Sequence, residues 1–302
     1  MRIVFIPLLP ERGMISISII AAFAAMLCWG VGDFFIQKST RKIGDAETLA
    51  FIGIIGTVIL TPFVFFNYSV WDVFTWKALA LVAFLGVVHF IAGIMDFEAL
   101  KRGKLSVIDA VIELELVITI VFGIFFLGES LSLMQWLLIV PVFVGVVLVA
   151  FRSLNLKIFK KVEKGVWLAL ITAVGFGFVN FLTDVSVREI NYLVVIWFSW
   201  VVFAILTIAY LAAKRRMRGF YRDGVRNWKL VGVTGLVDTI AWVFFAIALT
   251  DASLSITTAI TESYPVIALL LGVLVNKEKL KVHQFIGGAL ALGASVALAF
   301  TL

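Results

Sequence analysis

Apolar runs of about twenty residues recur along the whole chain, each long enough for a helix to cross roughly 30 Å of hydrocarbon. Short polar or charged connections separate them. Ten spans are predicted: Ile15–Ile36, Thr48–Phe66, Lys77–Leu100, Leu105–Leu127, Gln135–Phe151, Gly165–Val187, Leu193–Ala213, Lys229–Leu249, Ser253–Val275 and His283–Thr301. The short alternating segments of an outer-membrane barrel are absent. The fold class expected is therefore an all-α integral membrane protein with ten transmembrane helices. The two longest connections, Arg152–Lys164 and Lys214–Trp228, are basic and poor in apolar residues, and are read as connectors. The leading MRIVFIPLLPER is too short to span and carries two prolines, so a start at Met14 is compatible with the pattern.

One span breaks the apolar rule. Ser106–Glu129 reads SVIDAVIELELVITIVFGIFFLGE, with Asp109, Glu113 and Glu115 inside it. An intramembrane carboxyl is costly unless protonated, paired or facing water, which makes it a functional candidate. The stretch recurs 149 residues later as SITTAITESYPVIALLLGVLVNKE, Ser255–Glu278, with Glu113/Glu262, Gly123/Gly272 and Glu129/Glu278 in register. The register runs upstream through Leu100/Leu249, Ala99/Ala248 and Gly86/Gly235. The first and sixth spans align with an offset of 147, pairing Gly30 with Gly177 and Asp33 with Asn180.

Charge gives the orientation. Of 25 lysines and arginines, all but Arg2, Arg12, Lys77 and Arg188 fall in or beside the connections after the odd-numbered spans. Lysine and arginine accumulate on the cytoplasmic side, so both termini are expected outside, in the cell membrane. Each half holds five spans, an odd number, so equivalent helices cross in opposite directions. Basic Lys101-Arg102-Gly103-Lys104 indeed answers to uncharged-to-acidic Thr250-Asp251-Ala252-Ser253. The expected organisation is two inverted five-helix repeats, residues 1–151 and 152–302, an arrangement of secondary transporters with midplane sites.

Composition agrees: 63% of the 302 residues are hydrophobic, far above the roughly 45–50% of soluble domains. The net charge of +6 is a topology signal with some attraction for the lipid bilayer, and nucleic acid is not an expected partner. With Cys28 the single cysteine, and His89 and His283 the two histidines, no thiolate or imidazole metal cluster is expected, nor any other cofactor. No Gly-x-x-x-x-Gly-Lys-Ser/Thr loop is present for ATP.

Trp29-Gly30, the Leu127-Gly128-Glu129-Ser130-Leu131 turn with Gln135 and Gly145, and Pro265, Gly272, Glu278, Leu280, Gln284 and Gly287 together resemble the drug/metabolite transporter superfamily, in its EamA-type members. The resemblance covers Ile15 to Leu302. It departs at Leu116, where the repeat often has a proline like Pro265, and at Lys277, where a glycine precedes the glutamate. It implies a ten-helix fold that exports small metabolites such as amino acids, often against protons.

The residues themselves give the candidate site. Glu113, Glu115 and Glu262 lie about nine to eleven residues into their spans, near mid-bilayer at 1.5 Å per residue. On a continuous helix Glu113 and Glu115 point about 200° apart. Glu113 and its mate Glu262 are therefore expected in the cavity, to bind a proton or a cationic ammonium group, and Glu115 is left to pair with a neighbouring helix. The alternative is a protonated carboxyl that bonds helices together. Asp109 has the Ser-x-x-Asp spacing of a helix cap. His89, and its mate Asp238, extend a polar path. Asp33 and Asn180 are expected at the approaches, with Trp29 and Trp242 deep enough to stack on a solute; Trp200 lies at similar depth, and ordinary packing is the commoner reason for all three tryptophans. Trp71, Trp76, Trp136, Trp167 and Trp228 lie near span ends, as an interfacial belt.

No lysine or arginine lies deep in any span, which argues against phosphorylated substrates and for protons or a solute cation. Gly30-Val31-Gly32-Asp33 has the form found in presenilin-like proteases, but no Tyr-Asp or Pro-Ala-Leu accompanies it. The expected function is proton-coupled export of a small metabolite by alternating access, not catalysis; an uncoupled carrier or a membrane scaffold is the alternative. Two complete repeats let a monomer build a whole pathway, and a homodimer is compatible.

Overall fold

A computed structural model describes residues 16–67, 75–102, 108, 111–151, 164–277 and 280–301. Ser106, Asp109, Trp71 and Glu278, singled out above, lie outside the described residues. The helices are α1 (Ile17–Ile43), α2 (Asp45–Asn67), α3 (Trp76–Arg102), α4 (Leu114–Leu127), α5 (Leu133–Ala150), α6 (Lys164–Glu189), α7 (Tyr192–Ala213), α8 (Met217–Arg226), α9 (Trp228–Ala248), α10 (Leu254–Thr261), α11 (Tyr264–Asn276) and α12 (Val282–Ala299). Among the described residues nine stretches are long and apolar enough to cross a membrane, counting Leu254–Val275 as one, and α4 is a shorter apolar helix. The chain is an all-α membrane protein of two five-span halves.

The packing is two-fold. α1 lies along α9 as α6 lies along α3; α2 meets α9 as α7 meets α3; α11 meets α1 as α4 meets α6; and α2–α7 and α5–α12 are self-related pairs. Single contacts obey the same relation. A side chain on Gly30 would strike Ile267 of α11 and come within 2.8 Å of the Tyr264 carbonyl oxygen, while one on Gly177 would come within 2.7 Å of Ile118 of α4. Ile118 and Ile267 are the 149-residue mates. The 147-residue pairing of Gly30 with Gly177 therefore has a packing cause: each glycine admits the equivalent isoleucine.

Helix ends follow the repeat too. Gly128 ends α4 at φ +69°, where it costs nothing, and Lys277 ends α11 at φ +55°, a conformation that costs a side-chain-bearing residue roughly 1–2 kcal/mol. The Lys277 departure noted in the sequence thus preserves the turn. Ser132 N–H donates to Gln135 Oε1 at 2.8 Å, and Lys281 N–H to Gln284 Oε1 at 3.2 Å. Gln284 then donates from Nε2 to the Val149 carbonyl, tying the start of α12 to the end of α5. Glu129, just past α4, accepts from the backbone N–H groups of Leu254 (2.6 Å) and Ser255 (3.0 Å) and from the Ser255 hydroxyl. A carboxylate on these donors at a helix N-terminus fixes where α10 begins.

The expectation of unbroken fourth and ninth spans is corrected. The ninth is two helices, α10 and α11, separated at Glu262-Ser263. Pro265 lacks the N–H that Thr261 needs and its ring crowds that carbonyl. Ser263 instead bonds Ser295 of α12 at 2.7 Å, and Ser295 reaches the Ala259 carbonyl. The fourth is also interrupted, with α4 starting only after Glu113. The connector 214–228 is corrected as well: it folds as α8, described below.

Candidate functional site

Both symmetry-related glutamates stand at helix interruptions. Glu113 is the N-cap of α4, and Glu262 is the C-cap of α10 and lies two residues before α11. Each glutamate therefore stands in the sequence at the start of a half-helix, where partial positive charge favours an anion. Both are buried.

The interruption changes the reading of Glu115. The 200° separation holds for a continuous helix, and here the regular α-helical pattern breaks at Glu113. Glu115 lies within electrostatic reach of both Glu262 and Glu113, so three carboxyls share one region. Its Oε1 accepts from Asn180 Nδ2 at 2.9 Å, and the same amide approaches Thr119 Oγ1 at 3.3 Å. This is the neighbouring-helix partner that the sequence left open, on α6. Asn180 itself is 2% exposed and lines no open approach, because its amide is spent on α4. The symmetry mate of Glu115 is Tyr264 and that of Asn180 is Asp33; Tyr264 is in turn within electrostatic reach of Asp33, Glu113, Glu262 and Glu115. The mate of Glu115 being a phenol was the available signal that this position is also polar and inward.

An aromatic wall continues from the acids. Trp29 packs against Tyr264 (6.4 Å between ring centroids), Phe245 (5.2 Å) and Trp242 (5.1 Å, edge-on). Trp242 meets His89 at 4.8 Å, and His89 is further enclosed by Trp200 and Phe203, each at 5.1 Å. The space shared by His89, Thr183, Ser199, Trp200 and Trp242 has no room for a water molecule. His89 and Trp242 are thus together, while Asp238, Trp200 and Thr239 each keep a buried polar atom with no hydrogen bond among the described residues.

The two ends of the bundle are not equivalent. Asp33 is exposed and Ile36, Gln37 and Asp96 are partly exposed. Their mates Asn180, Thr183, Asp184 and Phe245 are all buried. Asp96 lies within electrostatic reach of Asp33 and Asp45, so three carboxyls gather at this end. At the opposite end Arg188 clamps the buried Asp184 with bonds of 2.6 and 3.0 Å, and Trp197 Nε1 donates to Thr61 across α7 and α2 at 2.9 Å. One sequence register thus carries two levels of exposure.

Residues 16–151 and 163–300 each match the pattern of the EamA-like transporter family. An uncharacterized protein of Methanocaldococcus jannaschii is 26% identical over 136 residues, which is 45% of this chain and 98% of that protein. A protein crystal structure superposes with a TM-score of 0.73 at 18% identity, covering 95% of this chain and 99% of that one; at this identity the likeness is one of fold.

Proposed function

Because the chain belongs to the EamA-like transporter family, we propose that it is a secondary transporter that moves a small organic solute bearing an ammonium group, such as an amino acid or an amine, by alternating access. The observation that carries this reading is the pair of helix interruptions at Glu113 and Glu262, which bring buried carboxyls from both halves to one region. These two groups bind a proton or the solute ammonium in turn, which makes the transport proton-coupled, with export as its direction. Trp29 and Trp242 offer ring faces to the solute, since a cation over an aromatic ring gains about 0.5–2 kcal/mol. His89, Asp238 and Asp33 form the polar path, and Asn180, closed off in the state described, joins it when its end opens.

The unequal exposure of symmetry mates supports alternating access. In the state described, Asp33, Ile36, Gln37 and Asp96 of α1 and α3 are the more exposed members of their symmetry pairs, and their mates on α6 and α9 are buried. Exchange of the two conformations between the halves, taken as 1–151 and 152–302, closes the first end and opens the second. By the distribution of lysine and arginine the Asp33 end is cytoplasmic, both termini are outside, and the plasma membrane is the location.

A thermal-shift screen of amino acids, amines and nucleosides on the purified chain, at two pH values, tests the substrate class. A transported ammonium compound should raise the unfolding temperature in a concentration-dependent way, by about 2.7 kcal/mol of stabilisation at a hundred times its dissociation constant. Stabilisation by anionic solutes alone would overturn the assignment.

A further inference from the structure

The connection between α7 and α9 is a helix with three sorted faces. At about 100° per residue, Phe220 and Gly224 fall on its inner side, where Phe220 stacks on Phe51 of α2 at 4.3 Å and Gly224 lies against the same ring. Arg216, its N-cap, donates to the buried Glu47 of α2 at 2.6 Å. Met217, Tyr221 and Val225, four residues apart, form a second strip that stays exposed, and Trp228 continues it. Arg218, Arg222 and Arg226 form a third exposed strip beside the apolar one. Asp223, the one acid within α8, is held by Arg222. Lys214, Arg215 and Lys229 add exposed positive charge at the ends.

We propose that α8 is an interfacial helix that binds anionic phospholipid, with Met217, Tyr221 and Val225 in the acyl boundary and Arg218, Arg222 and Arg226 on the headgroup phosphates. An apolar strip bordered by a cationic strip is the pattern that seats a helix in the plane of a bilayer surface. The helix sits at the basic end of the bundle, the end that faces the anionic leaflet by charge distribution. Its inner face is already occupied by α2, so the outward strips are the ones available to lipid. Through Arg216–Glu47 and Phe220–Phe51 a lipid-seated α8 holds the start of α2, whose length packs on α7 and α9 beside the candidate site. The inference rests on the chain's being a multi-pass membrane protein and stands independently of the transport proposal.

The test uses the full chain carrying Cys28→Ser and Val225→Cys, labelled with an environment-sensitive fluorophore and placed in nanodiscs of phosphatidylcholine with brominated acyl chains. Adding phosphatidylglycerol should increase quenching of the label, and high salt should reverse the increase, because exposed ion pairs are screened. Replacing Arg218, Arg222 and Arg226 with glutamine should weaken the phosphatidylglycerol effect about a hundredfold, at about fivefold per charge. Quenching that is the same with and without phosphatidylglycerol would overturn the proposal. So would quenching by aqueous iodide but not by lipid in both bilayers, which would mean that the strip faces water or a soluble partner. The lipid and salt comparisons decide the matter on the arginine-containing protein alone if the triple variant fails to fold.

Discussion

Glu262→Gln and Glu113→Gln are each expected to lower proton-driven solute flux in proteoliposomes by about tenfold to a hundredfold, the equivalent of one hydrogen bond to a charged group at about 1.5–3 kcal/mol. Glutamine keeps the shape of the side chain at the helix interruption but cannot take up or release a proton. Both variants should fold, with unfolding temperatures at or above that of the parent, because an amide carries no charge to desolvate. Glu115→Gln should be milder, since a glutamine oxygen still accepts from Asn180. Parent-level proton-driven flux in both the Glu113 and Glu262 variants would remove the coupling role assigned to the pair.

Gly145→Leu is expected to prevent a stable fold, at a cost of about 3 kcal/mol or more from overpacking. The backbones of α5 and α12 cross at Gly145 and Gly287: a Cβ on Gly145 would fall 2.6 Å from the Gly287 carbonyl oxygen, and a Cβ on Gly287 the same distance from that of Gly145. Backbone on both sides leaves nothing to swing away. Gly293, also on α12, has nothing within 4 Å of its Cβ position, so Gly293→Leu serves as the contrast. Size-exclusion profile and unfolding temperature read the difference: loss of the monodisperse species for Gly145→Leu, little change for Gly293→Leu. Equal behaviour would mean that the α5–α12 crossing is looser than described.

The features legible in the sequence were those that depend on chain-local properties. Span length, the 149-residue register and the lysine and arginine bias follow from hydrocarbon thickness and a repeated pattern, and they led to the ten-span, two-fold architecture. Pro265 announced a weak point in the ninth span. Nothing comparable announced the interruption at Glu113, because Leu116 stands where the proline would be; without it the 200° rule set Glu115 apart from the cluster it shares. The hydrogen bond from Asn180 to Glu115 on α4 was not legible for the same reason. α8 is not legible as a span because its apolar strip consists of three residues four apart among arginines. The unequal exposure of Asp33 and Asn180 could not be read from sequence at all: the repeat supplies one register, and the conformation gives its two copies different surroundings.

Alternating access is tested most directly by the reactivity of two symmetry-mate cysteines in a Cys28→Ser background. Ile36→Cys lies at the accessible end and Thr183→Cys at the packed end. With a membrane-impermeant thiol reagent applied from one side at a time, Ile36→Cys should react from the Asp33 side in the resting protein while Thr183→Cys is protected. A transported solute or an imposed proton gradient should then expose Thr183→Cys to the opposite side while protecting Ile36→Cys. Simultaneous reactivity of both positions, or permanent protection of Thr183→Cys under every driving condition, would contradict the account.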